Sequence, residues 1–435
     1  MNKAEVVFAK SQTAQGVLAL RPALNLRIAN ESLRSAFGSI TSLEEDLLVM
    51  ASSIFACDLA FKRGDRENFV RKISLKIPVV NRALLESVRQ DITYAIYLLS
   101  HDAWNIELTQ RIGTPETAQV WNQTNNSKVL LFSGGLDSFA AAADAGYSGT
   151  KVHLISHLTG NHNISRSQQS LFEHLQTSFP GQFARTSFRV GATNKSSDGY
   201  PFPTDQEREE TQRTRSFLFL TLAGLAARKL GASDVIMIAE NGQLAIHLPL
   251  TAARISAFST HTAHPEFVKT MGEILSRVLA FDIRIENPFL YLTKGEVVSK
   301  IKGIQAAQIP QTISCWRSAR MLGGYTHCGE CVPCLVRRIA NEAHGIRIDE
   351  YARDLFREDV ASLEADDLGK RNFLELAEFV RFFFGTNSRA QIISSYPELI
   401  NESIDANHAI AMYKRFASEA VNVFSNYAKL TALVR

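Results

Sequence analysis

Through the middle of the chain, short apolar runs alternate with longer segments whose apolar residues recur at helical spacing. Val129–Phe132, Lys151–Ser156, Phe188–Val190 and Val235–Ala239 read as strands, and Ser167–Thr177 and Ser216–Leu230 as helices, the second capped by Gly231. This strand–helix–strand rhythm predicts an open parallel sheet with helices on both faces. In such sheets ligands bind beyond the carboxyl ends of the strands. Before it, Glu5–Ala9, Gly16–Leu20 and Leu24–Ile28 alternate weakly between polar turns and predict a small antiparallel sheet. Leu43–Arg63 and Ala83–Leu99 read as long helices flanking a strand at Ile73–Val80. Asn122–Ser127 is polar and reads as a linker. Past about residue 345 the pattern is helical, over Asn372–Phe384, Arg389–Ser394 and Ala406–Leu430. The expected organisation is an N-terminal α+β part over 1–122 for assembly or partner binding, a central α/β part over 126–345, and a helical C-terminal extension over 346–435.

Composition narrows the classes. The 435 residues carry a formal net charge of +3, too little to point to a nucleic-acid partner. No apolar run approaches the ~20 residues of a membrane helix. The opening MNKAEVVFAKSQ lacks the apolar core of a signal peptide, so the cytoplasm is the expected compartment. Of five cysteines, Cys57 falls inside a helical apolar pattern and reads as an inert core thiol.

The run KVLLFSGGLDSFAAAA places Ser133-Gly134-Gly135-Leu136-Asp137-Ser138 between a buried strand and an Ala-rich helix. Strand, glycine turn and helix together aim backbone N–H groups at an anion. Gly134 and Gly135 admit positive φ and let an oxygen approach the backbone closely. Ser133 and Ser138 add hydroxyl donors, while Asp137 suits loop orientation or a metal ion on a pyrophosphate. No GKS or GKT follows, so this is not a Walker loop. Three further groups fall on or near the same rim. Glu240 and Asn241 end the Val235–Ala239 strand. Leu248–Phe267 holds Arg254, Ser259, Thr260, His261, Thr262 and His264, a set of donors suited to a polar heterocycle with a carboxylate. Lys294 lies in the first turn of a helix expected over Thr293–Lys300. A cation is disfavoured there unless it faces phosphate.

Cys315, Cys328, Cys331 and Cys334 form C-x12-C-x2-C-x2-C. Four thiolates suit a closed, structural tetrahedral zinc site. An iron–sulfur cluster is the rival, but a ferredoxin run would place a fourth cysteine where Arg338 stands. Arg317, Arg320, Arg337 and Arg338 flank the quartet and could line an anionic pocket.

The SGGLDS loop resembles the PP-loop of ATP pyrophosphatases, the adenine nucleotide alpha hydrolase-like fold. Together with the quartet written C…CGECxxC, it resembles the QueC family of 7-cyano-7-deazaguanine synthases over roughly residues 126–345. PFLYLTKGEVV is similar to that family's Pro…Thr-Lys-x-Glu segment, and TRSFLFL, with Arg215, to its Ala-Arg-Asn helix start. The resemblance implies ATP on Ser133–Ser138, Arg215 and Lys294, with Mg2+ on the phosphates and Zn2+ on the four cysteines. It implies Ser133, Asp137, Ser138 and Lys294 as catalytic residues. A deazaguanine substrate is implied near Glu240, Asn241, Arg254, Thr260, His261, Thr262 and His264. About 125 residues before the loop, a helical tail and a divergent 240–267 stretch depart from ordinary members. They resemble the QueC-like proteins of anti-phage operons, the QatC group of Qat systems above all and those of type IV CBASS. There the resemblance implies an amine on a protein partner from the same operon as acceptor. Ammonia is the other acceptor, and a nucleotide-binding assembly subunit of a defence complex, a preQ0 synthase of queuosine or deazapurine biosynthesis and a tRNA thiolase are the rival readings.

Overall fold

The structure, a computed structural model, describes residues 2–431 apart from 9–13, 65–68, 117–126, 194–198, 232, 252–260, 302, 319–320, 322–323 and 347–350. The expected linker lies outside these residues except for Ser127.

The N-terminal strands are β1 (Asn2–Val6), β2 (Val17–Leu20), β3 (Leu26–Ile28), β4 (Lys72–Val79) and β5 (Ala103–Gln110). Four of them form a sheet in the order β2-β1-β4-β5 in which every pair is parallel. The expected antiparallel sheet is therefore incorrect. Weak alternation in short runs says which residues share a face and nothing about strand direction. The helix Ser42–Ala60 and the pair Arg82–Ser87 and Arg89–Ser100 lie in sequence between strands and act as crossovers, which makes the neighbours parallel. The expected single helix over 83–99 is broken at Val88.

The second sheet holds β6 (Lys128–Leu131), β7 (Val152–His157), β8 (Phe183–Phe188), β10 (Val235–Met237) and β11 (Arg284–Glu286), in the order β11-β10-β6-β7-β8 and parallel throughout. From central β6 the chain winds outward through β7 and β8, then returns to the other side of β6 as β10 and β11. Such a reversal opens a crevice at the carboxyl ends of the two strands where winding changes sense, here β6 and β10. Between them in sequence lies β9 (Val190–Ala192), which pairs antiparallel with β3 and ties the N-terminal part to the central one.

Ser42–Ala60 is buried on nearly every face, as expected of a helix that is apolar all round. It starts at a capping box made by Thr41 and Glu44. It packs between the first sheet and the helix Arg215–Lys229, in one continuous apolar core that also takes Pro265–Leu279. Its Asp58 is wholly buried and accepts from Arg71 at 2.5 Å and from the backbone N–H and hydroxyl of Thr214, the N-cap of Arg215–Lys229. Arg71 also pairs with buried Asp102, which Arg63 clasps with both guanidinium nitrogens at 2.8 Å. Cutting Asp58 out leaves Arg71 with Asp102 as its one carboxylate, already shared with Arg63, and strands two donors of Thr214. Asp58→Ala is expected to cost about 3–5 kcal/mol of unfolding free energy, read as a lower urea midpoint. An unchanged midpoint would contradict this account.

A second apolar cluster joins Val332–Ala343, Leu368–Gly385 and Ala406–Phe424. The last of these helices also packs on Gly242–Ile246 and Lys294–Ser299 at the rim of the second sheet. No described helix is long and apolar enough to cross a membrane.

Candidate active site and metal centre

The glycine turn follows β6 directly. Gly134 has φ 78°, and a Cβ there would stand 3.0–3.2 Å from Gln168 Cγ, Ser167 Oγ and Gln168 N, so only glycine fits without displacement. Gly135 is the N-cap of Leu136–Tyr147, whose first-turn N–H groups have no partner within the helix. The turn is braced from outside. Ser167 Oγ donates to the Gly134 carbonyl at 2.9 Å, Ile313 N to the same carbonyl at 3.0 Å, and Gln168 Nε2 to the Ser133 carbonyl at 3.2 Å. Ser133 is exposed at the mouth, its Oγ 3.2 Å from that of buried Ser138. Two hydroxyls thus meet beside a helix start, an arrangement suited to phosphate.

Asp137, in the first turn of that helix, is buried with Lys294. Lys294 Nζ lies 2.7 Å from Asp137 Oδ2, which also accepts from Asn241 Nδ2 at 3.0 Å. Glu240 stands beside them, its Oε1 accepting from the same Asn241 amide at 3.1 Å. Burial opposes ionisation of Asp137, but Lys294, Glu240 and Asn241 outweigh it and hold the group below the usual carboxylate range. Burial, then the Asp137 charge, push Glu240 well above that range, so the proton of the pair resides on Glu240. Asp137 Oδ1 is buried without a hydrogen-bond partner. Glu240 shares its proton with Asp137, and a hard divalent cation such as Mg2+ that displaced this proton would meet two carboxylates side by side.

Lys294 opens the helix Lys294–Ser299, capped by the capping box of Thr293 and Glu296. Its backbone N–H donates to Gln243 Oε1 at 2.9 Å. Asn287 holds Glu240 through both its carbonyl, by Nδ2 at 2.8 Å, and its N–H, by Oδ1 at 3.3 Å. Gln243, Asn287, Ser167 and Gln168 were not expected from sequence. Each acts through a tertiary contact that no local pattern encodes.

The structure thus gathers Ser133, Gly134, Gly135, Leu136, Asp137, Ser138, Glu240, Asn241 and Lys294 at the ends of β6 and β10. Arg215 is exposed at its helix start, its guanidinium 5.7 Å from the Phe219 ring that packs on His157 at the end of β7. Arg254 and Thr260, with Ser259, lie outside the described residues. His261 and His264 cluster with His101 and His247, His261 being 5.4, 6.4 and 5.0 Å from the His101, His247 and His264 ring centres. Burial, then the neighbouring imidazoles, push His261 down to about 2, so it is neutral at physiological pH. His264 Nδ1 caps Pro265–Leu279 by accepting from Glu266 N, and Thr262 sits half-buried in the turn between these two histidines.

The four cysteines are buried, and their Sγ atoms lie within 4.8 Å of one another. The Cys328–Cys334 separation is 3.8 Å. A tetrahedron with Zn–S of about 2.3 Å has edges of about 3.8 Å. Sulfurs this close enclose one ion and leave no room for a multi-iron cluster. Backbone N–H groups of Arg317, Cys328 and Cys331 donate to the sulfurs, as suits thiolates. Adjacent His327 accepts from Ser314 N through Nε2 and is not a fifth ligand. The three flanking arginines among the described residues are engaged elsewhere rather than lining an anionic pocket. Arg317 pairs with Glu330, Arg338 with Glu342 and Asp354, and buried Arg337 donates to the Ile309 carbonyl and Thr312 hydroxyl. Arg337 thereby links the cysteine helix Val332–Ala343 to the segment bracing Gly134, whereas Arg320 lies outside the described residues. One zinc per chain is expected by elemental analysis. Cys334→Ser should abolish it and sharply lower the melting temperature, since a structural zinc contributes on the order of 10 kcal/mol.

No curated protein matches the chain. Residues 127–345, half of the chain, match the family model for the queuosine biosynthesis protein QueC. The matched segment contains the glycine turn, the Asp137–Glu240–Lys294 cluster and the cysteine quartet. The chain belongs to the QueC family, whose ATP-dependent PP-loop chemistry serves deazaguanine synthesis.

Proposed function

We propose that the protein uses ATP to activate 7-carboxy-7-deazaguanine and passes the acyl group to an amine on a partner protein, in the cytoplasm and as part of an anti-phage system of the Qat type. The observation that carries this reading is the buried Asp137–Glu240–Lys294 cluster beside the glycine turn. In the first step a carboxylate oxygen of the substrate bonds to the α-phosphorus of ATP. The bond from that phosphorus to the bridging oxygen breaks, and pyrophosphate leaves with the electron pair. Ser133, Ser138 and the amides at the helix start are suited to the leaving charge, and Lys294 supplies a cation without reorganisation. Asp137 and Glu240, the latter once its proton is displaced, would hold Mg2+, which would neutralise phosphate charge. In the second step the amine nitrogen bonds to the acyl carbon, AMP leaves, and the nitrogen gives up a proton. The protein contributes placement and charge rather than a covalent intermediate.

The parts outside the matched segment support a protein acceptor over ammonia. Residues before 122 and beyond 345 supply surface for assembly with partners from the same operon. The test is incubation with ATP, carboxydeazaguanine and candidate partner proteins. One AMP and one pyrophosphate per transfer, with a deazaguanine adduct in the intact mass of a partner, is the expected result. A free amide or nitrile product would instead make this a synthase of small deazaguanines. Pyrophosphate release unchanged in Asp137→Ala would sink the adenylation reading altogether.

A further inference from the structure

The C-terminal helix Ala406–Phe424 lies outside the segment matched to the family, yet it reaches the residues that hold Lys294. Glu419 Oε1 accepts from the Thr293 hydroxyl at 2.6 Å. Thr293 is wholly buried, and the same hydroxyl accepts from Glu296 N at 3.0 Å, so both its functions are fixed. On the other side of Lys294, a Cβ on Gly295 would stand 2.8 Å from Glu419 Cδ, Oε1 and Oε2. The carboxyl group therefore occupies the space that the glycine leaves. Glu419 Oε2 is buried and has no hydrogen-bond partner. Both neighbours of Lys294 in the chain are thus in contact with one side chain of the C-terminal helix.

The same helix braces the other strand end. Tyr413 hydroxyl accepts from Leu248 N and donates to the Gln243 carbonyl, and it is Gln243 that holds the Lys294 backbone. Arg415 pairs with Glu296 at 2.7 Å and donates to the Tyr291 carbonyl.

We infer that Glu419 is a positioning residue for Lys294, which makes the C-terminal helix a working part of the ATP site. The inference rests on the reading of Lys294 as an ATP-binding cation. Burial pushes Glu419 up to about 7, Glu296 adds to this, and the Thr293 hydroxyl and Arg415 oppose it. Glu296 comes from the helix of Lys294 and Arg415 from the preceding turn of its own helix. Among the described residues, no charged group of Gly242–Ile246, Val332–Ala343 or Leu368–Gly385 figures among its perturbers. Its charge therefore changes near neutral pH, next to the backbone that aims Lys294.

The test is titration of the full-length, zinc-loaded protein with a non-hydrolysable ATP analogue and Mg2+ at pH 6 to 8.5, with circular dichroism as the check on folding. Wild type is expected to show an inflection in Kd near pH 7. Glu419→Gln should bind within about threefold of wild type at pH 6, where Glu419 is neutral, and show no inflection. Glu419→Ala should weaken binding at least tenfold while Glu419→Gln does not, which separates positioning from loss of fold. An inflection that persists in Glu419→Gln, or wild-type binding by Glu419→Ala, would overturn the inference. These outcomes leave the ATP reading standing, whereas a wild-type protein that fails to bind the analogue would remove both.

Discussion

Replacing Lys294 by methionine is expected to slow ATP-dependent pyrophosphate release by about 100- to 1,000-fold, the usual loss for one preorganised charge-stabilising group. Methionine nearly preserves the length and apolar stem, so the change isolates the ammonium. That group is buried and lies 2.7 Å from Asp137 Oδ2. Its loss has two consequences. The phosphates lose a fixed cation, and Asp137 loses the nearest group that keeps it ionised, so its affinity for a proton and for Mg2+ changes as well. Arginine should not rescue the activity, because a larger planar group has no space at a site this enclosed. Adding Asp137→Asn to Lys294→Met should recover stability, since no buried charge is then left unpaired, but not activity. Steady-state release at saturating ATP, set beside a urea titration of each variant, gives both readings. Activity in Lys294→Met within tenfold of wild type would remove Lys294 from the mechanism.

The protein is also expected to lose much of its stability between pH 7 and pH 5.5. Burial pushes His153, His157 and His264 down to about 4, and His261 to about 2. For a base whose folded pKa lies below its unfolded value, the unfolded chain binds more protons in the interval between the two. Stability is therefore complete above the unfolded value near 6.5 and falls as pH drops toward the folded values. Each such imidazole costs about 1.4 kcal/mol per pH unit in that window, so the four together cost on the order of 5 kcal/mol by pH 5.5. Glu240 and Glu419 act in the opposite sense, because a raised carboxyl pKa favours the folded state as pH falls. They recover part of the loss, leaving a net penalty of a few kcal/mol against a total that is ordinarily about 5–15 kcal/mol. Urea midpoints at pH 7.5 and 5.5 check this. Equal midpoints would mean that the imidazoles take up protons in the folded protein. Replacing His261 and His264 by asparagine should narrow the difference.

What could be read in the sequence was what is written contiguously. The glycine turn is specified by six adjacent residues between a strand and a helix, and the structure keeps that local order. The cysteine quartet reads as strongly because three of its members share one short loop and helix start, and Cys315 joins them from nearby. The second sheet was legible because its strands are apolar runs bounded by turns. The first sheet was not, because strand direction is set by where the crossover helices pack. Strand β5 is not among the expected elements, although Trp104, Ile106 and Leu108 alternate with polar residues and face the core. The partnership of Asp137 with Lys294 is a meeting of two helix starts, one after β6 and one after β11, visible in sequence only through family resemblance. Glu419 carries no sequence signal at all. Its sole trace is the missing side chain at Gly295, and glycine next to lysine is too common a pair to point to a distant carboxylate.

The pairing of β3 with β9 bears on how the chain is made. The ribosome releases Leu26–Ile28 long before Val190–Ala192 exists, and the helix Arg215–Lys229, whose N-cap Thr214 donates to Asp58, is made later still. Until then Ser42–Ala60, apolar on all sides, has no second surface to lie against. The newborn N-terminal part must wait with that helix half-covered, a state open to aggregation or to a chaperone. Synthesis rate through residues 60–230 is therefore a lever on the yield of active protein.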